Sequence, residues 1–197
     1  MVRKSRYKTL VYFIIVLILF MTVLFFSKSR FTPIQAIKAS LDSSITKILG
    51  EVKRNWASIY LLDTTDGLKT AYVTKDLILW NCGGFTYFFD DVIENDAVKT
   101  VGWMSMTDKN NRQLTVFAIQ SNDPNVRFIE AGPGTDRIRE TIDLNKTAIF
   151  SWDMAIQWND LVAVAFDKDS NPLYRYGYPE NVNIIKGEDL RWYKIKK

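Results

Sequence analysis

The fold is decided by 57-ASIYLLDTTDGLKTAYV-73, where two apolar runs, Ala57–Leu62 and Leu68–Val73, flank Asp63-Thr64-Thr65-Asp66-Gly67. Asp-Gly between such runs marks a hairpin, because glycine accepts the positive φ of a tight reversal. The pattern recurs downstream. Leu77–Trp80 and Phe85–Phe89 flank Asn81-Cys82-Gly83-Gly84, and Val98–Met106 and Gln113–Gln120 flank Asp108-Lys109-Asn110-Asn111. Val126–Ala131 is a further strand, stopped by Gly132-Pro133-Gly134. Leu161–Phe166 and Leu173–Tyr176 enclose Asp167–Pro172, and Val182–Ile185 and Leu190–Ile195 enclose Lys186-Gly187-Glu188-Asp189. Between Thr135 and Asp160 the sequence is open: Asp136–Ile142 suits a short helix and Ala148–Trp152 a strand. Successive hairpins without alternating helices predict a mainly β fold, an antiparallel sandwich or open barrel.

Upstream the periodicity changes. Thr32-Pro33 is a helix start, with threonine as cap and proline in the first turn. Ile34, Ile37, Leu41, Ile45 and Ile48 then recur at steps of three and four, which predicts an amphipathic helix ended by Gly50. Before it, Leu10–Phe26 is seventeen residues with sixteen apolar and Thr22 the exception, about 26 Å of helix. That stretch reads as an N-terminal transmembrane helix, with the lipid bilayer as its partner. Arg3, Lys4, Arg6 and Lys8 precede it and Lys28 and Arg30 follow, so the short tail should face the cytoplasm and the domain the outside. The expected organisation is a cytoplasmic tail at 1–9, a transmembrane helix at 10–27, a juxtamembrane segment with the amphipathic helix at 28–50, and an extracytoplasmic β domain at 51–197. A cleaved signal peptide and secretion is the alternative, disfavoured by the length of the apolar run and by Ser27-Lys28-Ser29 as a cleavage site.

Charge and rare residues narrow the function. Six of the 26 Lys/Arg and none of the 22 Asp/Glu lie in residues 1–30, so the net +4 becomes −2 beyond them. A basic nucleic-acid surface is not indicated. A single cysteine, Cys82, fits an exported bacterial envelope domain without disulfides better than a eukaryotic secreted one. With no histidine, imidazole-based nucleophilic catalysis and the usual zinc sites are out of reach. No cofactor or metal is implied, and no catalytic residue is assigned.

The remaining constellations have ordinary readings. Asp90, Asp91, Glu94 and Asp96 form an acidic cluster in which two carboxylates could act on a glycosidic bond, and which otherwise is a solvated loop. Asp167, Asp169 and Asn171 alternate like calcium ligands, but Pro172 and Tyr178 stand where a calcium loop needs glycine and glutamate. Gly132-Pro133-Gly134-Thr135 near Arg137 and Arg139 resembles an anion cradle and reads more simply as a chain reversal. Trp152, Asp153 and Trp158 are the candidate ligand-binding residues, since indole faces stack on sugar rings and a carboxylate holds hydroxyls. The expected function is an envelope-facing module that binds a glycan or another envelope protein. The alternatives are a carboxylate-dependent hydrolase of envelope polysaccharide and an accessory subunit of a larger membrane complex.

Overall fold

The computed structural model describes residues 2–87, 96–180, 184 and 186–196, and not the side chains of 2–6, 23–25 and 188. Among the described residues two helices, α1 (Val2–Phe26) and α2 (Pro33–Ser40), precede twelve strands. β1 (Ile45–Lys53), β2 (Ala57–Thr64), β3 (Gly67–Asp76) and β4 (Leu79–Tyr87) form a four-stranded meander. β5 (Val98–Thr107), β6 (Gln113–Ser121) and β9 (Thr147–Trp152) form a second sheet in the order β5-β6-β9. β7 (Phe128–Pro133), β8 (Ile138–Thr141), β10 (Leu161–Phe166), β11 (Pro172–Gly177) and β12 (Arg191–Lys194) form the third, ordered β12-β11-β10-β7-β8. All pairings are antiparallel.

The three sheets stack as layers. Strand alternation sends Ile59 and Leu61 of β2 toward Val101, Met104, Leu114, Val116 and Ala118 of the middle sheet. The opposite side chains, Tyr60 and Leu62, pack under Ala36 and Ile37 of α2. Similarly Phe117, Ile119, Phe150 and Trp152 leave the far face of the middle sheet to meet Ile129, Ala131, Ala163 and Ala165 of the third. This is why every residue of Ala57–Leu62 and of Leu114–Ile119 is buried: both faces are covered.

The antiparallel β reading holds, and the hairpins at Asp63–Gly67, Asp108–Asn111 and Asp167–Pro172 form. In the first, β2 and β3 pair as far as Thr64 and Gly67, and within that turn only Gly67 takes positive φ, at 99°.

Three expectations are corrected. The amphipathic helix stops at Ser40, and Ile45–Lys53 is strand β1, its Ile45 and Ile48 opposite Thr64 and Leu62. Pairing with a buried strand outweighs an apolar spacing interrupted by Asp42-Ser43-Ser44. Asn81–Gly84 is not a turn; the chain reverses at Leu77–Ile78 and runs through both glycines as β4, with a bulge between Tyr72 and Val73 of its partner. Glycine is needed there because a Cβ on Gly83 would stand 2.1 Å from the Tyr72 ring. Residues 138–141 are strand β8 rather than helix, returning from a turn closed by the Asp136 N–H on the Pro133 carbonyl at 2.9 Å. β12 pairs with β11, and the strand expected at Val182–Ile185 lies largely outside the described residues.

Helix α1 is 25 residues long, and its apolar side chains described between Tyr7 and Met21 are exposed. Among the described residues no helix is long and apolar enough to cross a membrane. The transmembrane helix expected at Leu10–Phe26 is therefore not supported.

Candidate functional site

The predicted trio does not converge. Trp152 is buried in the core, its ring stacked on Phe150 with centroids 6.0 Å apart, and its indole N–H has no partner among the described residues. Asp153 is held outside by Arg54, whose Nε donates to Oδ1 at 2.7 Å while its other nitrogen donates to Ser151 Oγ at 3.3 Å. Trp158 borders a cavity, 44% exposed and edge-to-face with Tyr178 at 5.4 Å.

That cavity is an open groove of about 420 Å³ lined by Trp158, Leu161, Val162, Tyr176, Tyr178 and Leu190, with Asn159 and Gly177. Its floor is fixed by the core. The Tyr176 ring lies against Phe117 at 5.2 Å and Trp192 at 5.6 Å, and burial holds its phenol far above the usual range. Trp192 is fixed in turn by its indole N–H on Thr100 Oγ1 at 3.2 Å. The Tyr178 wall is positioned by Arg175, which donates to its carbonyl at 2.9 Å and pairs with Glu180 at 3.1 Å.

The Trp158 wall stands on the loop after β9, which is stapled to β6. Thr115 Oγ1 donates to the Met154 carbonyl at 2.7 Å and accepts from the Ile156 N–H at 2.9 Å, while Gln113 Oε1 accepts from Ala155 N–H at 3.1 Å. Asp160 N–H closes a turn on the Gln157 carbonyl at 3.0 Å. A mostly apolar concavity with aromatic walls, an amide and phenolic hydroxyls suits a ligand with flat apolar faces and hydroxyl edges. Its volume falls within the 300–1,000 Å³ common for ligand sites. Tyr176, Tyr178, Val162 and Leu190 were missed from sequence; the alternation of Tyr174, Tyr176 and Tyr178 was the available signal.

The other constellations have structural roles. Asp167 Oδ1 accepts the N–H groups of Asp169 at 2.9 Å and Asn171 at 2.8 Å, and Oδ2 accepts the Asn171 amide at 2.9 Å, which leaves no calcium-like ligand set. Asp108 does the same for Asn110, at 2.9 Å, and Arg112, at 2.8 Å. Asp96 pairs with Arg191, while Asp90, Asp91 and Glu94 lie outside the described residues. Gly132–Thr135 is a reversal in which Arg137 donates to the Gly134 carbonyl at 2.9 Å. Cys82 is half-buried, and burial pushes its thiol up. Among the described residues no group of three potential ligands could hold a metal ion.

A second groove, about 360 Å³, is lined by Asp123, Arg127, Asp167, Asp169, Tyr174 and Lys194 among others. Hydrogen bonding holds the Asp167 carboxyl below the usual range. Burial raises the Asp123 carboxyl, but the Asn125 N–H, the Tyr174 hydroxyl and Lys194 outweigh it and bring it below that range. A glycosidic general acid needs the opposite shift. The apolar stripe of α2, which would have marked a protein partner, is covered by the first sheet through Ala36 and Ile37. No family model, curated protein or solved structure gives a significant match to this chain, and the groove beside Trp158 is the feature from which its function is argued.

Proposed function

We propose that this protein is a single-pass, membrane-anchored module that presents an extracytoplasmic β domain and binds an envelope glycan in the groove lined by Trp158, Tyr176 and Tyr178. The observation that carries the binding reading is the exposed Trp158 face opposite a core-anchored Tyr176 floor. Sugar rings offer C–H faces to stack on indole, and their hydroxyls suit Asn159 and the tyrosines.

The anchor reading rests on α1. Tyr12–Met21 are ten consecutive exposed apolar residues, so they circle the helix almost three times and leave no polar face. Burial of each such side chain is worth about 1.5–3 kcal/mol, which lipid supplies. Thr22, the one polar residue of the stretch, donates to the Ile18 carbonyl at 2.8 Å, so its hydroxyl needs no water. The excess of Lys/Arg before the span favours a cytoplasmic N-terminus.

The test is titration of the full chain in micelles with soluble β-linked amino-sugar oligomers of the cell-wall type, followed by tryptophan fluorescence. Trp158→Ala should weaken saturable binding at least about tenfold, roughly 1.4 kcal/mol, with an unchanged melting temperature. Absence of saturable change in the native chain sinks the glycan reading. Release of the protein from membranes by alkaline carbonate sinks the anchor.

A further inference from the structure

The turn between β3 and β4 is built against the rules for a turn in water. It has two residues, Leu77 and Ile78, between the paired Asp76 and Leu79. Leu77 takes φ of 54°, a conformation that asparagine or glycine adopts more readily. Its side chain is 92% exposed and that of Ile78 66%. No covered neighbour requires either residue to be apolar.

The turn is also tied to the segment that follows α1. Arg30 and Trp80 exchange both backbone hydrogen bonds, at 2.9 and 2.6 Å, joining the segment after α1 to β4 one residue beyond Leu79. Ser29 Oγ adds a short bond, 2.5 Å, to Asn81 Oδ1. Phe26 ends α1 four residues before Arg30, so its Cα is within about 14 Å of that of Arg30; Leu77 is three residues from Trp80, within about 11 Å. Phe31, the next residue toward α2, is 55% exposed. Lys75, two residues before Leu77, is exposed with its Nζ 5.8 Å from the Trp80 ring centroid, and Lys28, two residues before Arg30, is exposed as well. The carboxylate of Asp76 is offset by Lys109 at 3.7 Å.

We propose that Leu77, Ile78 and Phe31 dip into the bilayer surface that holds α1, with Lys28, Arg30 and Lys75 meeting anionic lipid phosphates. The inference rests on the anchor reading and adds a second contact, one that fixes the tilt of the β domain on the membrane. Exposed aliphatic tips with basic residues on the adjoining segments fit the boundary between acyl chains and headgroups.

The experiment uses the full chain in vesicles of phosphatidylcholine and phosphatidylglycerol. A fluorophore is attached at a single cysteine, Ile78→Cys or Leu17→Cys, in a Cys82→Ser background whose melting temperature is first matched to the native chain. Nitroxide-bearing lipids report depth. The expected result is quenching at 78 by shallow nitroxides and at 17 by deep ones. Quenching at 17 without quenching at 78 overturns the tip contact and keeps the anchor. Quenching at neither position overturns both. A blue-shifted but unquenched probe at 78 means that protein, such as a second copy of the chain, covers the tip, and also overturns the proposal. Hydrogen exchange on the unmodified chain gives an independent reading: the Leu77–Leu79 amides should slow in the vesicles relative to micelles, and equal exchange counts against the contact.

Discussion

The middle sheet is covered on both faces, but by different materials. Toward the first sheet the contact is aliphatic, with Leu61, Val101, Met104, Leu114 and Val116, and it closes tightly: a Cβ on Gly102 would stand 2.2 Å from Leu61 Cδ2. Toward the third sheet it is aromatic, a chain of rings from Trp103 through Phe117 and Tyr176 to Trp192 with successive centroids 5.7, 5.2 and 5.6 Å apart. Flexible branched side chains fill space to a closed seam, whereas rigid rings meeting edge to face leave concavities where the layer ends. Tyr176 belongs to both the core and the groove floor. The proposed binding surface is therefore an outgrowth of one core seam and independent of the other.

The largest effects come from truncating one fully buried residue on each seam. Phe117→Ala should cost about 3–5 kcal/mol and Leu61→Ala about 2–5 kcal/mol in chemical denaturation of the full chain. Only Phe117→Ala should also weaken ligand binding, because it removes the support beneath Tyr176. If Leu61→Ala weakens binding equally at matched stability, the two seams are not independent.

A smaller perturbation sharpens the same contrast from the aliphatic side. Gly102→Ala forces a methyl group toward Leu61 and should cost about 1–3 kcal/mol while leaving the groove intact. Thr115→Val keeps the volume but leaves the Met154 carbonyl and the Ile156 N–H without their partner, also about 1–3 kcal/mol. Its signature is local: faster hydrogen exchange over 154–158 and weaker binding. Thr115→Val with unchanged exchange there would show that Trp158 is placed by something other than the staple.

How much of this was legible in the sequence depended on whether local chemistry or distant packing decided the outcome. The turns at Asp108 and Asp167 were readable because each aspartate satisfies the reversal itself, with Asn111 and Ser170 taking the left-handed position. β1 was misread because Ile45 and Ile48 fit a helical stripe as well as a strand, and only pairing with β2 distinguishes them. The Gly83-Gly84 pair was misread because a bulge beneath the Tyr72 ring uses the same residue type as a turn. Of the three site residues, Trp158 lies at the groove; nothing local separates it from Trp152, whose burial follows from the third sheet, assembled from strands both before and after it.

The smallest expected effect lies at the rim of the aromatic seam, where buried Tyr174 donates to Asp123 Oδ2 at 2.8 Å. Burial, and then the hydrogen bond and charge of Asp123, push the phenol up to about 12. An unfolded tyrosine ionises near about 10, so this contribution to stability is complete below that pH and is lost as pH rises from about 10 to about 12. The Asp123 carboxyl is depressed, so its contribution is present above about pH 3.9 and is lost as pH falls through the folded value. Tyr174→Phe removes both the ionisable phenol and one donor to the carboxylate. The variant should be slightly less stable at neutral pH and should depend less on pH at both ends. Solvent screening keeps the change small, and the buried Tyr60 and half-buried Tyr176, whose phenols are also raised, maintain part of the alkaline loss. Denaturation at pH 7, 10 and 12 reads the difference. An alkaline loss identical to that of the native chain would show that the Asp123 pairing does not hold the Tyr174 proton, and that the aromatic seam ends at Tyr176 in energy as well as in shape.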